Sequence, residues 1–359
     1  MRKKLLSCIL SAAISMAFAE QTTQDSQIKT DKTITPNAMP TIQHGFDIFL
    51  TADFIYWTAR VDNLEYAHTG STLTTQRGSN FVSITDQGGY QDVDHKMSPG
   101  FKAGLGFGLG HDGWDTSFQY TWLHSSATGR AVSNAQSLWE MSPGSNFNST
   151  SSSVGSASSR WQLRFNNVDW ELGREYFISG HLLLRPFVGL KGAWNKQTYS
   201  IRNDNIEFQA SDGSGSTVLG FYHIYNTQHF WGVGVRVGLD SSWQFNRNWS
   251  IFGDWALSTL WSYFTVTRVD TAQDRSVSLG SSLTLTNEAR KFHSVRPVLE
   301  LDIGVRWDYW FLDDDYRIRI QAGWEQQVWF DQNQFINPVA PRYGSLTLQG
   351  LTLAFRLDF

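Results

Sequence analysis

The nine histidines are the first residues that could do acid–base or metal chemistry. His68, His95, His223, His229 and His293 stand in or beside long polar stretches, His124 ends an apolar run, and Asp92 and Asp94 are the carboxylates they could meet. A hydrolase needs a nucleophile with a base in reach, or carboxylates and histidine converging on one bond. No Gly-x-Ser-x-Gly is present, and Gly213-Ser214-Gly215-Ser216 has the composition of a flexible loop. His111-Asp112-Gly113 looks like a catalytic motif, yet Asp and Gly are also what a tight turn requires. Asp313-Asp314-Asp315 offers calcium ligands but reads better as a solvated turn. Cys8 is the one cysteine and lies in the amino-terminal segment, so the rest of the chain has no thiol catalysis, disulfide or zinc–cysteine site. The expectation is a protein that is not an enzyme, with no catalytic residue, no cofactor and no metal.

The charged residues are better organised. Lys102, Arg185, Lys191, Arg236, Arg296, Arg306, Arg317, Arg319 and Arg356, with Asp47, Asp53, Asp240, Asp254, Glu300, Asp302, Asp308, Glu325 and Asp358, keep to one parity of alternating runs. The other parity is apolar. Met97, Pro99, Phe101, Ala103, Leu105, Phe107 and Leu109 alternate with Lys102 and a row of glycines; Val295 to Tyr309 alternates in the same way with Arg296, Glu300, Asp302, Arg306 and Asp308. If the charged parity faced lipid, each Arg or Lys at mid-membrane would cost about 2–4 kcal/mol. The charges must therefore line an interior. Lys102, Arg185, Lys191, Arg296, Glu300, Asp302, Arg306, Arg317, Arg319 and Glu325 are the candidate pore-lining residues, setting a field along a lumen rather than performing catalysis.

Strands must position them. Period-two runs recur from residue 46 to Phe359, giving an all-β fold of about ten strands, with twelve possible. The parity slips near Asn166-Asn167, which suggests a bulge. Turns of a few residues alternate with long polar connections near 59–96, 126–159, 201–228, 268–290 and 331–344. Short turns at one end and long loops at the other describe a transmembrane antiparallel up-and-down β-barrel, with the turns periplasmic and the loops extracellular. A soluble sandwich fails because nearly every strand would send Trp, Tyr and Phe into one core, and runs of about 14 residues exceed the usual soluble length.

The bulk numbers agree. The chain has 359 residues, 17% of them charged, and a net charge of −4, so no basic field supports nucleic-acid binding. After the first 19 residues no apolar run approaches the roughly 18 needed for a spanning helix. Arg2 to Lys4, an apolar stretch to Phe18 and Ala17-Phe18-Ala19 form a signal peptide over 1–19, cut after Ala19. Residues 20–44 read as a flexible periplasmic leader and 45–359 as the barrel domain. The expected place is the outer membrane of a Gram-negative-type bacterium.

Trp114, Trp122, Trp161, Trp194, Trp231, Trp243, Trp249, Trp255, Trp261, Trp307 and Tyr309 fall mostly near strand ends, as aromatic girdles do. Gly100, Gly104, Gly106, Gly108 and Gly110 share the inward parity and would leave one wall of the lumen bare. Phe359 ends an apolar run and resembles the signal read by barrel-assembly machinery. Phe49 to Ala59 followed by Asn63-Leu64-Glu65-Tyr66-Ala67, Pro99 to Trp122, and Leu184 to Ala193 resemble the Legionella-type pore-forming outer-membrane proteins, a family also found in Chlamydia-like bacteria. The resemblance implies a pore-forming barrel in contact with outer-membrane lipid. The expected function is passive diffusion of small hydrophilic solutes through a narrow, weakly selective lumen; the alternative is a structural or adhesive barrel without a conducting pore. The oligomeric state is not written in the sequence.

Overall fold

The computed structural model describes residues 48–71, 86–109, 113–139, 153–209, 217–274, 283–312, 315–337 and 342–359. The signal segment, the leader, His111, Asp112, Asp313, Asp314, Gly110 and Gly213-Ser214-Gly215-Ser216 lie outside the described residues. Ten long strands form the wall: β1 Ile48–Val61, β5 Met97–Gly108, β6 Trp114–Ser137, β7 Ser153–Arg174, β9 Leu182–Gln209, β10 Thr217–Gln244, β11 Trp249–Asp274, β12 Leu283–Phe311, β13 Tyr316–Phe335 and β14 Arg342–Asp358. Four short ones join them: β2 Ala67–Ser71, β3 Asp86–Gln91, β4 Asp94–His95 and β8 Tyr176–Phe177. Each long strand pairs antiparallel with its neighbours, and β1 pairs with β14 from Phe49↔Asp358 to Val61↔Leu346, which closes the barrel and leaves no long edge. β2 and β3 extend the sheet from β6, β4 also pairs with β6, and β8 pairs with β9.

Along the lower half of each strand, toward the short turns, the predicted alternation holds. Leu50, Phe54 and Tyr56 point outward while Phe49, Asp53 and Ile55 are buried; Phe101, Leu105 and Phe107 point outward while Lys102 is buried.

Two expectations change. First, most of the stretches read as long connections are strand: β9 and β10 have 28 residues each, and β12 has 29. Above the membrane a strand's outer face meets water and becomes Ser- and Thr-rich, so the apolar alternation that reveals a strand fades although the ladder continues. Second, there is no bulge at Asn166-Asn167. β7 keeps one register with β6 across this point, through Phe165, Asn166, Asn167 and Val168. The strand does not slip; its surroundings switch. Val168 and Trp170 face outward, whereas Trp161, Leu163 and Phe165 face a lumen that has become apolar.

Candidate functional site

The lumen has two layers built by the same inward parity. In the lower layer every strand delivers polar or charged groups, and these pair both between neighbouring strands and over the lumen. Lys102 Nζ lies 2.6 Å from both carboxylate oxygens of Glu325. Arg185 forks onto Asp115 at 2.6 and 2.9 Å and reaches Asp240 at 2.8 Å and Glu171 at 3.2 Å. Lys191, with no exposed surface, pairs with Asp169 at 2.6 Å and Glu300 at 2.8 Å. Arg236 joins Glu300 at 2.5 Å to Glu171 at 3.1 Å. Nearest the short turns, Arg317 and Arg356 share Asp358, and Arg319 donates to Asp308 at 2.8 Å. Taking this many ions out of water is tolerated only because each cation meets a carboxylate or an amide at close range.

All ten predicted lining residues face the interior, but not in one place. Arg296 lies above the others, buried over the Phe264 ring and paired at 3.4 Å with the exposed Asp331. Among the described residues Arg306 meets no carboxylate directly; the Gln321 amide, with its oxygen turned inward, accepts from Nε and Nη2 at 2.7 and 2.8 Å. Asp302 stands opposite Asp254 on one side and Glu325 on the other, and Asp254 stands opposite Asp240. This acidic arc across β10 to β13 has Arg185 opposite Asp240 at one end. A cavity of about 240 Å³ lies among these groups and extends to Glu175 and Arg356 at the short-turn end. Its wall carries nine carboxylates (Asp53, Asp169, Glu171, Glu175, Asp240, Asp254, Glu300, Asp302, Glu325) against six cations (Lys102, Arg185, Arg236, Arg306, Arg319, Arg356). The near balance expected from sequence becomes an acidic excess, because Asp169, Glu171 and Glu175 lie in a strand and turn whose alternation was broken by the switch in β7.

The upper layer is a seal, and sequence reasoning missed it. Trp57, Leu123, Trp161, Leu163, Phe165, Phe264, Val298, Trp329 and Leu348 are buried inside the barrel. Phe165 on β7 meets Trp329 on β13, the opposite wall of the ring, with centroids 5.3 Å apart and planes at 86°. Phe230 approaches both Phe264 and Trp329, at 5.0 and 6.3 Å. Above them β13 bends inward: its register with β14 shifts between Trp329 and Asn333, Asp331 adopts φ 50°, and Gln332, Asn333, Gln334 and Phe335 are all buried. Gln228 fastens this segment, donating to the Gln332 carbonyl at 2.6 Å and accepting from the Gln334 amide at 2.8 Å. Tyr199 stacks on Phe335 at 5.8 Å and its hydroxyl donates to the Leu64 carbonyl. The signal for this layer was Ile55 and Trp57, apolar residues on the inward parity of β1.

The glycine wall is not bare. A Cβ on Gly106 would sit 2.0 Å from the Phe49 ring, one on Gly104 2.4 Å from Thr51 Oγ1, and one on Gly100 3.0 Å from the Ile55 side chain. Side chains of β1 lean over β5, and the glycines make room for them.

The histidines do not converge. His68 packs on Tyr90, His95 on Trp161, and His124 on Trp122, while His229 and His293 are on the outer surface. Asp94 faces Lys96 at 3.9 Å. Among the described residues no cluster of His, Cys, Asp or Glu could hold a metal. Of the expected girdle, Trp114, Trp194, Trp231, Trp243, Trp249, Trp255, Trp261 and Tyr309 are exposed to the outside; Trp161 is the exception, since it belongs to the seal.

A closed antiparallel barrel with an apolar outer band, aromatic rings at the margins of that band and, along the band, charge confined to the interior is an outer-membrane β-barrel. The family model described as Legionella pneumophila major outer membrane protein precursor matches residues 38–359, and the chain belongs to that family. Its place is the Gram-negative outer membrane. No curated protein matches the chain. Similar solved structures include the outer membrane protease OmpT from Escherichia coli (13% identity, 88% of this chain and 98% of that one, TM-score 0.39). They also include the P. putida toluene transporter TodX (9%, 87% and 90%, 0.32) and a Pseudomonas aeruginosa FadL homologue (11%, 87% and 89%, 0.27).

Proposed function

We propose that this protein is a structural outer-membrane barrel that keeps its own lumen shut and carries its long strands and loops beyond the membrane surface. The observation behind this reading is the contact of Phe165 with Trp329 across opposite walls, both side chains having lost essentially all contact with water. Ten-stranded barrels lie near the size at which side chains fill the interior, and here rings fill the upper part. Phe359, whose backbone exchanges hydrogen bonds with Ile48 at 2.9 and 3.2 Å, is the element we assign to recognition by assembly machinery.

A second reading has its own support. The charged cavity beneath the seal is suited to water and small hydrophilic solutes, and a pore in which the rings act as a gate would use it as a vestibule. Its acidic excess then favours cations over anions, in place of weak selectivity. Planar-bilayer recording of folded, heat-modifiable protein separates the two. The structural reading expects no stepwise conductance from the wild type; regular steps would favour the gated pore. A Phe165→Ala/Trp329→Ala variant should conduct, with a reversal potential on the cation side.

A further inference from the structure

The outer surface carries a feature that neither reading of the lumen uses. Above the aromatic margin, four consecutive wall strands each present a basic or imidazole side chain outward at directly paired positions: His124 opposite Arg164, Arg164 opposite Lys196, and Lys196 opposite His229. His124, Arg164 and His229 are exposed and Lys196 is half-buried. One outward step lower on the same strands stand Trp122, Trp194 and Trp231, with the His124 ring 4.3 Å from that of Trp122. Directly opposed residues on one face of a sheet lie about 5 Å apart, so Arg164 and Lys196 form a like-charge pair that weakens the sheet. Among the described residues no carboxylate on these strands relieves it: from the tryptophan row upward, the outward positions of β6, β7, β9 and β10 hold no acid before Asp204, which is engaged by Arg202 at 3.1 Å.

Two facts name the counter-charge. Indoles at the margin of a barrel sit at lipid-headgroup depth, so the basic row one step above them lies where lipid phosphates lie. The repelling pair is also spaced for one phosphate to bridge, since an oxyanion accepts charge-assisted hydrogen bonds from guanidinium and ammonium together. We propose that His124, Arg164, Lys196 and His229 form a binding site on the outer wall for the phosphate of an anionic glycolipid in the outer leaflet, its acyl chains lying along the tryptophan face. The site rests on the barrel's place in the outer membrane and is independent of whether the lumen conducts.

The test titrates folded protein in detergent micelles with bis-phosphorylated lipid A and, separately, with the same lipid stripped of phosphate, read by native mass spectrometry. The phosphorylated lipid should bind about tenfold or more tighter, and added salt should erode the difference. Arg164→Gln/Lys196→Gln should abolish the preference, whereas Arg60→Gln, an exposed cation on β1, should leave it intact. If the double variant does not regain heat-modifiable mobility, Arg164→Gln alone must still lose part of the preference. Equal binding of the two lipids, an unchanged preference in the variant, or displacement by millimolar inorganic phosphate would each overturn the site. Failure of the wild type to insert into lipid vesicles would instead overturn the membrane placement.

Discussion

The two layers of the lumen are made by the same ten strands and the same inward parity, yet they cohere by opposite means. Below, ions pair between strands and over the lumen; above, rings and aliphatic groups fill it. The join is narrow. Trp57 Nε1 donates to Thr352 Oγ1 at 3.1 Å and Thr352 donates to Glu325 at 3.0 Å, while Trp329 Nε1 donates to Gln327 at 3.2 Å and Gln327 donates to Glu325 at 3.0 Å. One carboxylate therefore anchors the last polar residues, and the indoles above them begin the seal. Within the membrane the outer face must be apolar, and the polar residues are left to the interior. Beyond it the outer face meets water, and the strands bury their apolar residues inside, as a soluble protein does.

The largest effects should come from breaking each layer by its own weakness. Trp329→Ala removes the ring that Phe165 and Phe230 pack against, and the cavity should cost about 3–5 kcal/mol in urea unfolding. In the lower layer Lys191→Met keeps the length of the side chain but leaves Asp169 with Arg236 at 4.0 Å in place of a cation at 2.6 Å, and takes one of two cations from Glu300. Two buried carboxylates deprived of their shared close cation should cost about 3 kcal/mol. Adding Asp169→Asn should return part of that loss, whereas no second substitution of similar polarity change should rescue Trp329→Ala. Equal rescue in both would mean that the layers do not differ in kind.

A smaller effect tests the wall. Gly106→Ala drives a methyl group into the Phe49 ring and should cost about 1–3 kcal/mol through overpacking, visible as a lowered urea midpoint. Gly192→Ala on β9, where the nearest atom to an added Cβ is 4.0 Å away, should be close to neutral. If both were neutral, β1 would not lean over β5 as described.

How far the sequence could be read follows from the same division. Ten strands and their inward charges were legible because lipid enforces strict alternation: Phe101, Leu105 and Phe107 against Lys102 admit one solution. The upper halves were not, because water outside and rings inside reverse the pattern. In β7 the reversal falls between Phe165 and Val168 and imitates a bulge. The partners of Arg185 and Lys191 were also hidden: Asp169 stands directly opposite Lys191 in the β7–β9 hairpin, but the reversal in β7 obscured which of its residues face inward, and Asp115 reaches Arg185 from β6, two strands away. The seal depends on contacts between opposite walls, which no periodicity can express.

The smallest expected effect separates the layers by pH and lies outside the membrane. His95, on β4, is packed edge-on against Trp161 at the flank of the upper layer. Burial, aided by the positive charge of Arg60, lowers its pKa from 6.5 to about 4. The unfolded segment therefore takes up a proton before the folded one does, so stability contributed here is present above pH 6.5 and is lost as pH falls toward 4. Asp92 nearby has the opposite sign: burial raises its carboxyl, so the folded state holds its proton more tightly and its contribution declines as pH rises. Hydrogen exchange of the β4–β6 amides should show more frequent opening at pH 4.5 than at pH 7, and His95→Phe should remove that increase while leaving the interior of β13 unchanged. Protection that is the same at both pH values in the wild type would place His95 in water, and would leave Trp161 as the outer limit of the seal.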